Sequence, residues 1–150
     1  MFKPLFVLAL SSALLSACGG GGTPTPVPQL LTASANILKT NLSVRPNEVD
    51  VASVTLQIPS AGKVEVTFAG DGVVSAGDRL VLAASDKSKT WGVNEGNVSL
   101  KTSGPFTHKR VYTVGAGSST FYAVAHNYVD TAGTGVVSIY ATLTATFYPN

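Results

Sequence analysis

The sequence predicts an all-β protein, an antiparallel β-sandwich of about eight strands, and three observations carry that prediction. From about Leu30 onward apolar residues recur at every second position, the period of a strand with one buried face, and hardly any helix-length window is better described by three-and-four spacing. Short runs of Gly, Pro, Asp, Asn and Ser interrupt that pattern repeatedly, as turns between strands do. About 120 residues follow Leu30 in a chain that is 45% hydrophobic and 12% charged, enough to fill a core between two stacked sheets.

Taken in order, the first expected strand runs from Ile37 to Val44. The next puts Val54, Leu56 and Ile58 on one face, turns through Pro59-Ser60-Ala61-Gly62, and continues into a strand with Val64, Val66 and Phe68 inward. Gly70-Asp71-Gly72 and Ala76-Gly77-Asp78 read as turns, followed by a strand from Arg79 to Ser85. Thr90 to Val93 and Asn97 to Leu100 flank an Asn94-Glu95-Gly96 turn. Beyond the turn at Ser103-Gly104-Pro105, His108 to Val114 and Ser119 to Tyr128 are strands joined by Gly115-Ala116-Gly117. Thr131 to Gly135 forms the last turn. The final strand alternates most clearly, with Val137, Ile139, Ala141, Leu143, Ala145 and Phe147 on one face and Ser138, Tyr140, Thr142, Thr144, Thr146 and Tyr148 on the other.

Two segments echo each other: Leu56 to Gly62 leading into Val64–Phe68, and Tyr112 to Gly117 leading into Phe121–Ala125. Two related hairpins would suit a jelly-roll layout. The Ala-Gly turn before an aromatic strand, with the closing Leu143-Thr144-Ala145-Thr146-Phe147, resembles the C1q and tumour-necrosis-factor-like sandwiches over about two thirds of the domain. The resemblance implies a topology only; neither trimerisation nor receptor binding comes with it.

Ahead of the domain, Lys3 precedes an uncharged run from Leu5 to Ala17, too short to span a bilayer and suited to the core of a signal peptide. It ends in Leu15-Ser16-Ala17-Cys18, which resembles the lipobox of bacterial lipoproteins. The resemblance implies cleavage after residue 17 and acylation of Cys18, the sole cysteine of the chain. It also implies a membrane anchor rather than a span, because buried acyl methylenes contribute about 0.8 kcal/mol each. Gly19 follows the cysteine where an aspartate would favour retention in the inner membrane, so outer-membrane sorting is expected. The expected organisation is a signal peptide over 1–17, a lipidated tether over 18–29 and the sandwich over 30–150. The tether combines the swivel of Gly19–Gly22 with the extended Thr23-Pro24-Thr25-Pro26-Val27-Pro28.

Ten basic against eight acidic residues, scattered along the chain, make no field for nucleic acid. No catalytic, cofactor or metal site is expected. The two histidines, His108 and His126, have no Gly-x-Ser-x-Gly elbow or carboxylate at a telling spacing, and His126 reads as a polar member of an aromatic stripe with Tyr122, Val124 and Tyr128. Asp71 and Asp78, seven apart in glycine turns, are too few for a calcium loop by themselves. Trp91 reads as a core or rim residue. The candidate binding surface is the strip of Tyr140, Thr142, Thr144 and Tyr148, flat enough for a sugar ring or for a second copy of the chain. A lipid-anchored, non-catalytic binding, adhesion or structural module is the functional expectation. The alternatives are a carbohydrate-binding domain and a small envelope hydrolase built on one of the histidines.

Overall fold

The computed structural model describes residues 30–43, 47–91, 96–129 and 135–150. The expected signal peptide, Cys18 and the tether lie outside the described residues. Among the described residues eight strands follow in order: β1 (Leu31–Ser43), β2 (Val49–Ile58), β3 (Gly62–Val73), β4 (Asp78–Ser85), β5 (Val98–Leu100), β6 (Gly104–Val114), β7 (Gly117–Val129) and β8 (Val136–Pro149). They form two four-stranded antiparallel sheets, a first of order β1-β8-β3-β6 and a second of order β2-β7-β4-β5.

In this order β1 pairs β8, β2 pairs β7, β3 pairs β6 and β4 pairs β5. The chain is therefore one long antiparallel ribbon, doubled back between β4 and β5 and rolled into two layers, which is a jelly roll. Both strands of the ribbon bend at the same level where it passes from one sheet to the other: Ile58 faces Gly117 in the second sheet, while Gly62 faces Val114 in the first. The two echoing segments are thus adjacent corners and not the two hairpins expected. Each carries its strand across to the opposite sheet, and among the described residues consecutive strands pair with each other only at β4 and β5.

The alternation decides the core. Val54, Leu56 and Ile58 of β2 and Val64, Val66 and Phe68 of β3 are buried, as are Val137, Ile139, Leu143, Ala145 and Phe147 of β8. Phe68, Phe121 and Phe147 are the largest of the fully buried side chains, each stabilising the fold by roughly 1.5–3 kcal/mol over an exposed position. Phe68 meets Phe106 edge to face, with centroids 4.9 Å apart.

Several expected boundaries are corrected. The first strand begins at Leu31 rather than Ile37 and continues to Ser43, with a register shift between Ile37 and Thr40. Gly70-Asp71-Gly72 is not a turn but the far half of β3, paired on both sides with β6 and β8. Its glycines serve close packing: a Cβ on Gly70 would run into the Tyr140 carbonyl and Ala141, and one on Gly72 would lie 2.7 Å from a Leu100 methyl in the opposite sheet. Strands β6 and β7 also begin earlier, at Gly104 and Gly117. Thr90 and Trp91 belong to no strand; Gly92, Val93, Asn94 and Glu95 lie outside the described residues.

Candidate functional site

On the outer face of the second sheet, β4 and β7 turn half of their side chains away from the core. Because Leu80, Leu82 and Ala84 point inward, Arg79 and Val81 point out; because Phe121, Ala123 and Ala125 point inward, Tyr122, Val124, His126 and Tyr128 point out. The register then sets neighbours: Arg79 faces Tyr128, and Val81 lies between His126 on β7 and Ser99 on β5.

The Arg79 guanidinium sits 4.9 Å above the Tyr128 ring, within cation–π range. Tyr128 and His126 stack with centroids 3.7 Å apart, and the Trp91 ring lies 6.4 Å from His126. Although His126 is on the outer face of its sheet, it is buried at 4% exposure. It lies in an aromatic cluster with Tyr128 and Trp91 and is buried more deeply than a half-buried member of a strand stripe would be.

Trp91 is brought here by the turn that follows β4. The Asp50 carboxylate of β2 accepts a hydrogen bond from the Ser88 hydroxyl at 2.6 Å and one from the Lys89 N–H at 2.7 Å. Ser85 Oγ accepts from the Lys87 N–H at 3.0 Å. Lys89 takes a left-handed backbone, φ 55°, which swings the chain back over the sheet.

Arg79, Val81, Trp91, Asn97, Ser99 and Tyr128 together line an open cleft of about 220 Å³. The Trp91 ring offers a flat apolar surface and the Asn97 amide and Ser99 hydroxyl supply hydrogen bonds, while the Tyr128 ring already carries Arg79 and His126 against it. The volume is below the roughly 300–1,000 Å³ of pockets that engulf a whole small molecule, so the cleft suits one ring of a larger ligand.

The strip expected on the last strand does lie on the outer face of the first sheet. Tyr140 and Tyr148 are 40% and 44% exposed. They stand eight residues apart on one strand, about 27 Å at strand rise, too far to share a ring. Between them, the Thr142 hydroxyl donates to Asn36 Oδ1 at 3.0 Å and the Thr146 hydroxyl pairs with that of Thr32 at 3.3 Å. Thr144 faces Ser34 on one side and Thr67 on the other.

The histidines are not brought together. His108 sits at the open edge between the sheets, where its Nδ1 accepts the Ala84 N–H at 2.9 Å. Burial, and then the charge of Arg110, hold this imidazole below the usual histidine range. Asp71 and Asp78 are not paired either: Asp71 points out beside Tyr140, whereas Asp78 is buried at the start of β4.

Arg79, Asn97 and Ser99 were not singled out from sequence. The only local hint was the alternation that turns Arg79 and Val81 to one face; their meeting with Trp91 depends on pairings between segments distant in the chain.

No family model and no curated protein match this chain. Among solved structures, a chain of the infectious bursal disease virus particle is similar at 11% identity and a TM-score of 0.49, covering 81% of this chain and 31% of its own length. Dimeric latent PorU from Porphyromonas gingivalis shows 12% identity and a TM-score of 0.36, over 87% of this chain and 14% of PorU. The coat protein of Tobacco streak virus shows 12% and 0.33, over 79% of this chain and 87% of that one. This chain thus spans about a third of the first of these proteins. The jelly roll itself rests on the strand order described above, and no activity or assembly is transferred from them.

Proposed function

We propose that this chain is a lipoprotein anchored through Cys18, sorted to the outer membrane, whose sandwich is a non-catalytic module that binds a saccharide in the cleft of Trp91, Tyr128 and Arg79. The observation that carries the ligand class is the register that sets the Arg79 guanidinium over Tyr128 with Trp91 and the polar Asn97 and Ser99 around the same opening. Stacking on the Trp91 ring, which the Arg79–Tyr128 pair flanks, with hydrogen bonds from Asn97 and Ser99 at the ligand ring's rim, uses both parts of that surface. A sugar ring has both an apolar face and a polar edge. The anchor is supported by Leu15-Ser16-Ala17-Cys18 at the end of an apolar run, and the Gly/Pro tether would hold the module off the lipid.

The test is a glycan array probed with the full chain in detergent. Binding lost in Trp91→Ala and Tyr128→Ala but kept in Tyr140→Ala and Tyr148→Ala supports the cleft; the reverse pattern moves the site to the first sheet; no binding by the parent chain sinks the saccharide reading. Labelled palmitate should enter the parent and not Cys18→Ser, and equal labelling of the two sinks the anchor.

A further inference from the structure

At the end of the sandwich where β4 begins, the apolar lining of the core gives way to two buried polar side chains. Asp78 is 3% exposed and Asn127 is 1% exposed, both on the inner face of the second sheet. Asp78 pairs in register with Val129 and Leu80 with Asn127, so the two are diagonal neighbours on that face.

Each uses one end of its side chain for the protein. Asp78 Oδ2 accepts the Gly135 N–H at 3.2 Å, and the Asp78 N–H donates to the Ser75 carbonyl at 3.1 Å. Asn127 Nδ2 donates to the Leu42 carbonyl at 3.1 Å. That bond fixes the amide, since turning it over would set oxygen against oxygen. The remaining oxygens, Asp78 Oδ1 and Asn127 Oδ1, are buried and have no hydrogen-bond partner among the described residues. No cationic side chain pairs with Asp78 among the described residues.

We propose that Asp78 Oδ1 and Asn127 Oδ1 are ligands of a calcium ion bound at this end of the sandwich. Two buried acceptors without a donor, one of them a carboxylate oxygen, are diagonal neighbours on one face and call for a donor or a cation beside them. A bridging water would satisfy the hydrogen bonding yet leave the buried charge uncompensated. The donor set is oxygen only, which suits a hard cation and not zinc. Calcium accepts irregular coordination completed by water and backbone carbonyls, whereas magnesium requires a near-octahedral shell and gives up water reluctantly. With a single carboxylate, the affinity falls in the weak class of extracellular modules, a dissociation constant of about 10⁻⁴–10⁻³ M. The ion would tie β4, β7 and the start of β8 together, because Asp78 already holds Gly135.

The experiment is thermal unfolding and calorimetric titration of the full chain in detergent, stripped of divalent ions and then given calcium chloride, magnesium chloride or potassium chloride. Calcium should raise the unfolding midpoint of the parent by several degrees, more than magnesium, with no effect from potassium at matched ionic strength. Asp78→Asn should lose the calcium response. Asn127→Asp, which adds a second carboxylate, should bind calcium roughly tenfold more tightly; it decides the question if Asp78→Asn does not fold. A parent midpoint indifferent to calcium would mean that a water or a proton held by Asp78 fills the gap, and it overturns the proposal. An undiminished response in Asp78→Asn, or unchanged affinity in Asn127→Asp, overturns it as well by placing the ion elsewhere.

Discussion

His108 Nδ1 accepts the backbone N–H of Ala84 at 2.9 Å, so a side chain of β6 completes the edge of β4. Strand β5 covers only Leu80 to Leu82, so on the side away from β7 the next stretch of β4 has no strand beside it among the described residues. The Tyr112 hydroxyl completes the repair by donating to the Ala84 carbonyl at 3.3 Å. An exposed row of backbone donors and acceptors is a template for unwanted pairing, and here two side chains from the facing sheet block it.

The bond requires an unprotonated Nδ1, which makes stability depend on pH. Burial, then Arg110, place the folded His108 below 6.5. Well above 6.5 the ring is neutral in both the folded and unfolded chains, and stability is flat on its account. As pH falls through 6.5 toward the folded value, the unfolded chain takes up the proton first and stability declines. Urea unfolding at pH 8, 6.5 and 5 should show that decline, and it should shrink in His108→Ala.

At pH 8, His108→Ala also leaves the Ala84 N–H without its acceptor, at a cost of about 1–3 kcal/mol. Tyr112→Phe removes a longer bond and should cost about 0.5–1.5 kcal/mol. Equilibrium denaturation of both variants checks the ranking.

Gly70→Ala should destabilise the chain by about 1–3 kcal/mol, since the new methyl meets backbone of β8 and neither strand can withdraw from a doubly paired sheet. A Gly70→Ala variant as stable as the parent would show that β3 and β8 are not packed this closely.

Phe68→Ala removes a fully buried ring together with its edge-to-face contact on Phe106, and a loss of about 3–5 kcal/mol is expected. A midpoint shift in urea at unchanged slope would show that the native fold survives the cavity.

Asp50→Ala should act at a distance from the ligand. Releasing Ser88 and Lys89 frees the turn that carries Trp91, so saccharide binding should weaken while the unfolding midpoint moves far less than in Phe68→Ala. Unchanged binding in this variant would mean that Trp91 is held by other contacts.

What the sequence determined by itself was the local pattern: strands with a period of two, and within each the face that is buried. Val137 to Phe147 could be assigned inward without a partner because adjacent side chains of a strand point to opposite sides whatever it pairs with. The turn residues marked the corners for an equally local reason, except at Gly70-Asp71-Gly72, where glycine answers to the closeness of β8 and not to a bend. Tertiary structure decided which strands pair. It thereby made two apparent hairpins into stacked corners, set Arg79 over Tyr128 near Trp91, placed His108 on the edge at Ala84, and left Asp78 and Asn127 facing inward together. Those relationships join residues far apart in the chain, and they arise only when both sheets close over one core, so no local window of sequence contains them.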